Sequence, residues 1–499
     1  NRSTADHLLT LNAVLDYNKY LKSETYIWFG DAIKCFDKLC LKDCIFEFGK
    51  VAGWEEAELV YKINEIGKAI IETPVGLTKE IEIAGKVKQG TILGPKLCSI
   101  VTDKVNTIGR KNITLIRNIE IESLIYVDDI MFPSSRKDGI EKAIDNCHSL
   151  ELLKKFKFNT KPEKSGVLSY GKGKRKESNE IQAKVKNGII QPVQNYKYLG
   201  EWYSEEGNHK LSLSKKREKT EFMIQEILKY GDNNKVGKMA LEVRLKIYET
   251  VVVPTLFANV ETWSTITEKE MDELENIQYK VLKRVMEQVT TTPYWGIIAE
   301  TGVWPVVNRV EYKKIMLYHN IATSENKRLV KEIVEDQISR PYGYCWGKSI
   351  KDICSKYDIK IEEIKSYTKC VLKKEIKRKI AKEINTRIVE KTWEMKKLRF
   401  LEEWKKQDYL TELNTWQAIM TMKIRLNMLK TKCNYKNKDQ ENLLCGLCKE
   451  KDDTTEHLVE CRELGKLSEK KFSAQDIKSP TKEFINYIEK AMKIKDLSK

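Results

Sequence analysis

Two adjacent carboxylates, Asp128 and Asp129, sit inside the apolar stretch SLIYVDDIMF. Successive residues of a strand point to opposite faces, so a single strand through this stretch would turn at least one charge toward a packed layer. A tight turn between two antiparallel strands removes the conflict and brings both carboxylates to one exposed tip. A D-D pair in isolation more often reads as a plain turn. A second apolar run, TYIWFG, leads directly into Asp31, with Asp37 six residues on. Between these acidic elements lies VKQGTILGPKLCSIVTDKVN, a Gln-Gly turn and a Gly94-Pro95 step running into a helical pattern. Glycines there allow close approach of backbone to a ligand.

Carboxylates converging from separate segments have a chemical use. Phosphoryl transfer through two metal ions needs a few carboxylates around cations about 3.5–4 Å apart. Bound ions also relieve the repulsion between the carboxylates.

The rest of the chain sets these elements in a larger frame. Strand-length runs (25–29, 124–127 and 196–199) alternate with helical patterns such as 140–156 up to about Glu206. Beyond it, long charged amphipathic stretches dominate: 211–230, 237–252, 268–285, 309–322, 361–405 and 413–429. This predicts an α+β domain, then a largely helical region, then a short Cys/His module. The most apolar stretch, 251–260, is short and broken by Pro254, far below the ~20 residues that span a bilayer. The 12 cysteines are dispersed through 499 residues, which reads as reduced intracellular thiols. A net charge of +17 favours a polyanionic partner. Residues 371–400 hold 11 Lys/Arg against 4 Asp/Glu, and phosphate contact is the expected use of that face. Trp393 and Phe400, within it, are expected to face the core. The segment 170–178 reads as a hairpin tip, and its basic run KGKRK at 172–176 reads equally as an aid to nuclear import or RNA grip and as a plain surface turn.

Near the end, CGLCKEKDDTTEHLVEC spaces Cys445, Cys448, His457 and Cys461 as C-x2-C-x8-H-x3-C. Three thiolates and an imidazole suit tetrahedral zinc, and four protein ligands make the site structural. Cys433 is not expected to be a ligand.

In order, these motifs resemble the reverse transcriptases of non-LTR (LINE-type) retrotransposons. DAIKCFDKL resembles the first palm motif, which implies metal binding by Asp31 and a sugar-sensing gate at Phe36. KQGTILGPKL resembles the motif that meets the incoming nucleotide and template, through Gln89, Gly90, Gly94 and Pro95. The family usually has Ser where this chain has Gly94. YVDD resembles the Y-x-D-D hairpin, with Tyr126 at the nucleotide, Asp128 as second metal ligand and Asp129 as its partner. FNTKPEKS resembles the motif whose Lys protonates or steers pyrophosphate, here Lys164, with Lys161 as the alternative. YKYLG resembles the primer grip, which implies nucleic-acid contact by Tyr198, Leu199 and Gly200. The segment before the Cys/His cluster, TMKIRLNMLK, places Arg425 on a phosphate, and the cluster resembles the family's CCHC knuckle.

The resemblance implies an α+β right-hand polymerase palm, an antiparallel sheet with helices, followed by a helical thumb, an all-α C-terminal region and a small zinc knuckle. The expected divisions are residual fingers (1–30), palm (31–205), thumb (206–300), a helical basic region (301–430), the knuckle (431–465) and a C-terminal tail (466–499). It implies RNA-directed DNA synthesis with two Mg²⁺ ions, one structural Zn²⁺ and dNTP substrates. Template RNA and a DNA primer at nicked target DNA are the implied partners, and no membrane. The implied setting is intracellular and nuclear, with a cytoplasmic RNA-protein particle. Asn1 is not Met, and NRSTADHLLTLNAVL resembles the end of the fingers, which reads as a fragment. The alternative is a catalytically impaired nucleic-acid-binding remnant.

Overall fold

The computed structural model describes residues 3–497 except 66, 83–84, 89, 104–113, 155–156, 172–182, 186–187, 233–238, 326–327, 395–400, 402 and 435–441. The chain divides into two compact units. One comprises Asn1–Ser212, Thr262–Thr265 and Asn320–Asp352; the other comprises Leu213–Glu261, Ile266–His319 and Ile353–Lys499.

The first unit begins with helix α1 (Thr4–Tyr20), followed by strand β1 (Thr25–Asp31). Helices α2 (Leu41–Ala52), α3 (Trp54–Glu65) and α4 (Gly94–Thr102) come next, then β2 (Leu124–Tyr126), β3 (Asp129–Ser134), α5 (Lys137–Lys154), β4 (Gly166–Tyr170) and β5 (Pro192–Val193). The five strands form one sheet in the order β5-β4-β1-β3-β2. Neighbours run antiparallel except β4 and β5, which are parallel.

The period of two decides what each face covers. Tyr26, Trp28, Ile130, Phe132 and Val167 point into a core shared with Leu41, Cys44, Leu97, Cys98, Ile140 and Ile144 of the helices. Ile27, Phe29, Met131 and Leu168, the alternate residues, join Leu8, Leu11 and Leu15 of α1 on the other face. The sheet is therefore buried on both sides, which explains why β1 reads as a continuous apolar run. Residues 4–20 lie against this sheet as part of the same unit. On another side of α1, Ala13 and Val14 pack with Ile333 of the helix Leu329–Ser339. A separate hairpin, β6 (Asn195–Tyr198) and β7 (Glu201–Ser204), follows.

No strand occurs among the described residues after Ser204. The helices α6 (Lys210–Asp232), α7 (Glu268–Val285), α8 (Tyr294–Thr301), α9 (Lys369–Glu394), α10 (Thr415–Arg425) and α11 (Lys482–Leu497) account for much of the second unit. Helix α7 starts at a capping box. The Thr267 hydroxyl accepts from the Glu270 N–H, and the Glu270 carboxylate accepts from the Thr267 N–H at 2.9 Å. The helix predicted over 237–252 is shorter, running from Leu241 to Ile247 into a π-helical turn, Tyr248–Val252, just before Pro254. Proline brings no N–H to the ladder, and a widened turn accommodates that loss.

Helix α9 buries Leu372, Ile376, Ile380, Ile384 and Ile388, a stripe of strict four-residue spacing. Trp393 falls off that stripe and is 88% exposed, which corrects the expected core position. Phe400 and the KGKRK run lie outside the described residues. Residues expected as a tail carry α11, whose Phe484, Ile485, Ile488 and Ala491 are fully buried. No described helix is long and apolar enough to cross a membrane.

Candidate active site and metal centre

Strands β2 and β3 pair as Leu124↔Met131, Ile125↔Ile130 and Tyr126↔Asp129, which leaves Val127 and Asp128 as a two-residue turn. Val127 has φ 63°, a conformation that strains a β-branched residue. Its carbonyl is held from α4, where the Thr102 hydroxyl donates at 3.1 Å and the Cys98 thiol lies at 3.7 Å. Over-determination of this kind is what lets a strained turn persist.

The register of β1 on β3 places Asp31 directly opposite Asp129. Asp31 ends one strand, Asp129 begins its neighbour, and Asp128 occupies the adjoining turn. The sheet thus delivers the three carboxylates to one end. The Asp31 N–H donates to the Ser165 hydroxyl at 3.0 Å, and the Asn159 amide donates to Asp31 Oδ2 at 3.4 Å. Lys164 Nζ stands 3.7 Å from Asp31 Oδ1. Of the two expected lysines, Lys164 makes this ion pair; Lys161 uses its carbonyl to close the turn, accepting from the Lys164 and Ser165 N–H groups.

Burial raises the Asp128 carboxyl above the ordinary aspartate value, with Asp31 adding to the effect, against a backbone hydrogen bond and Lys164. Burial also pushes Asp129 up to about 6, reinforced by Asp128 and then Asp31 and opposed by Lys164. The protein has gathered anionic groups where Asp31 disfavours ionisation of both Asp128 and Asp129. A divalent cation is the ligand that reverses that penalty.

The loop before α4 meets the turn that carries Phe36. A Cβ on Gly94 would lie 2.7 Å from the Lys88 carbonyl oxygen, 3.0 Å from Thr91 Oγ1 and 3.5 Å from the Phe36 ring. That crowding gives Gly94 a physical reason: a side chain has no room. Gly90 is exposed with φ 78°, which glycine adopts without strain. Pro95 sits in the first turn of α4, where its missing N–H costs nothing. Gln89 lies outside the described residues. Tyr126 meets the ring of His7 edge-on, 5.5 Å between centroids.

The YKYLG segment forms the tip of the β6–β7 hairpin, with Tyr198 paired to Glu201. Leu199 (φ 45°) and Gly200 (φ 85°) make the turn, the two-positive pattern that matches strand twist. Leu199 is half-buried and Gly200 exposed. Tyr198 was expected on nucleic acid, but it is 1% exposed, tilted against Phe29 at 5.2 Å, with its hydroxyl 3.4 Å from His7 Nδ1. It belongs to the core because residues at even spacing on β6 face the sheet. Tyr196, two residues earlier, stacks flat on Phe29 at 4.3 Å and donates to the Lys164 carbonyl at 2.6 Å. Sequence reasoning missed Tyr196, His7, Asn159, Thr102 and Ser165; only the Tyr-x-Tyr alternation hinted at an inward face.

In the second unit, one ligand atom each from Cys445, Cys448, His457 and Cys461 lies within 4.8 Å of the others. Cys448 Sγ and His457 Nε2 are 3.2 Å apart. A tetrahedron with Zn–S of about 2.3 Å sets ligand atoms about 3.8 Å apart, so the four atoms fit one ion. The N–H groups of Glu450 and then Lys451, in the turn that follows Cys448, lower its thiol. Cys433 is not part of the group. The cluster is built into a core with Ile424, Leu458, Phe484 and Ile488. Tyr487 donates to the Leu458 carbonyl at 2.7 Å, and Lys495 pairs with Asp453.

Arg425, expected on a phosphate, is instead committed internally. Its Nε lies 2.9 Å from Glu300 Oε2, and its guanidinium also donates to the Lys478 carbonyl. Glu300 is completely buried and accepts from Tyr409 at 2.6 Å. A buried carboxylate requires such partners.

The family model described as "Reverse transcriptase (RNA-dependent DNA polymerase)" matches residues 1–203, so this part of the chain is similar to a reverse transcriptase domain. No curated protein matches the sequence. Among solved structures, telomerase from Candida albicans in complex with a fragment of telomeric RNA is 9% identical, over 71% of this chain and 54% of that one, with a TM-score of 0.34. The corresponding complex from Candida tropicalis is 15% identical, over 75% and 52%, with a TM-score of 0.31. Apo telomerase from Candida tropicalis truncated from the C-terminal domain is 18% identical, over 40% and 38%, with a TM-score of 0.27. The chain therefore spans 38% to 54% of the length of these three.

Proposed function

We propose that the chain is an RNA-directed DNA polymerase of the non-LTR retrotransposon type, copying RNA into DNA by two-metal phosphoryl transfer from a DNA primer at nicked target DNA. The observation that carries this reading is the pairing of Asp31 opposite Asp129, with Asp128 in the adjoining strained turn. Asp31, Asp128 and Asp129 would hold two Mg²⁺ ions, which when bound activate the attacking hydroxyl and neutralise the departing pyrophosphate.

The remaining roles fall to side chains around them. Lys164, 3.7 Å from Asp31, would steer or protonate pyrophosphate. Phe36, packed near Gly94, is positioned to sense the sugar, and Gly90 lets backbone approach the nucleotide. The four Cys/His ligands would hold one structural Zn²⁺ that organises the C-terminal core.

The test is primer extension on poly(rA)/oligo(dT) with Mg²⁺, comparing the protein with Asp128→Ala. Incorporation that the substitution abolishes is expected, and equal incorporation by both proteins rejects the site. Nucleic-acid binding without incorporation, unaffected by Asp31→Ala, would instead establish a binding remnant.

A further inference from the structure

We propose that Tyr196 is a positioning residue that sets the location of the Lys164 ammonium beside the catalytic carboxylates. The inference deepens the polymerase reading and rests on it. Lys164 is half exposed and lies on a short loop, so its own packing does not fix it. The Lys161 carbonyl closes the turn, and two side-chain contacts tie its adjacent residues 164 and 165 to their surroundings. The Ser165 hydroxyl accepts from the N–H of Asp31, linking the loop to the end of β1. The Tyr196 hydroxyl donates to the Lys164 carbonyl at 2.6 Å.

The tyrosine is itself fixed. Its ring lies flat on Phe29, with planes within 2° and centroids 4.3 Å apart, and Phe29 is two residues before Asp31 on β1. The carboxylate and the lysine backbone are therefore referenced to the same strand, one by covalent connection and one through a stacked ring. Tyr196 is 8% exposed. Burial raises its phenol far above the ordinary value, with Asp129 and Asp31 adding to the effect. The hydroxyl thus remains a donor at any working pH.

A donor that acts through a lysine should affect the step in which that lysine moves a proton or charge. Misplacing a catalytic group by an ångström can cost about 100-fold. Loss of one of two anchors is expected to lower kcat by about 10-fold. Tyr196→Phe removes the hydroxyl and keeps the stacked ring. On primer–template, it is expected to reduce kcat with the KM for dNTP unchanged. In a Lys164→Leu background the same substitution should have no further effect, because coupled residues lose their interaction only once. Equal losses in both backgrounds, or a loss confined to KM, would overturn the proposal.

A second measurement is independent of turnover. Reductive ¹³C-methylation labels the lysines, and the Lys164 resonance is identified by its absence from Lys164→Leu. Tyr196→Phe is expected to shift that resonance in the folded protein, and an unmoved signal would refute the positioning role. If the unsubstituted protein incorporates nothing, the polymerase reading fails, and the resonance still decides for or against the anchor.

Discussion

Asp129→Asn should make the metal-free protein more stable at neutral pH, although it removes a residue of the candidate active site. The folded protein holds Asp129 at about 6, against an ordinary value of 3.8. Between those values the folded state keeps a proton that the unfolded state releases. This contribution to stability is fully present below about pH 3.8 and lost as pH rises through 6. At about 1.4 kcal/mol per tenfold change in proton affinity, the gap bounds the loss at about 3 kcal/mol. The carboxylate is partly solvated, and screening reduces this to about 1–2 kcal/mol. Asparagine has the same shape and no charge to lose.

The assay is thermal unfolding in EDTA across pH 4–8. A unit of this size shifts by about 2–4 °C per kcal/mol, so Asp129→Asn should melt several degrees higher at pH 8. The advantage should shrink toward pH 4. Adding Mg²⁺ at about 100 times its Kd should raise the unsubstituted protein by about 2.7 kcal/mol and the variant by less. A variant that melts lower at pH 8 without metal, or a difference that does not change with pH, would refute the electrostatic account of the carboxylate cluster.

Thr102→Val keeps the shape of the side chain but removes the donor to the strained Val127 turn; a loss of about 1 kcal/mol is expected in urea unfolding, with faster amide exchange across 126–129. Arg425→Ala leaves Glu300 buried without its cation, and a loss of about 3–5 kcal/mol is expected in the second unit, while nucleic-acid affinity of the folded protein stays unchanged. A phosphate-binding Arg425 would give the reverse result. Metal analysis should return one zinc per folded chain, and Cys461→Ser should release it and expose the core around Phe484 to proteolysis. A folded preparation without zinc would reject that centre.

The acidic hairpin was legible because two charges inside an apolar run have one inexpensive solution. Its strands do form, and the turn falls on Val127–Asp128. The Cys/His spacing was legible for a similar reason, since a C-x2-C turn and a short helical step bring four donors within reach of one ion. Long-range complements were not. Arg425 looks like a free cation in sequence because its partner, Glu300, is 125 residues away. The burial of Glu300 is a tertiary fact, and it reverses the role of Arg425. Phe29, Tyr196 and Lys164 form the same kind of relation across three segments.

That last relation also changes what the YKYLG motif does in this fold. Its turn, Leu199 and Gly200, has positive φ at both positions, and Gly200 is exposed. Its tyrosines face inward, and both lie against Phe29, the residue that precedes Gly30 and Asp31. Tyr198 continues to His7 of α1, and His7 to Tyr126 of the acidic hairpin. One face of β1 therefore joins the β6–β7 hairpin, the lysine loop, the N-terminal helix and Tyr126 through ring contacts and hydrogen bonds. Aromatic rings provide large contact area with little rotamer freedom, so small displacements of one segment are resisted by the others. A residue at the exposed turn can thus be altered with local effect, whereas a change at Phe29 should disturb the carboxylates, Lys164 and Tyr126 together.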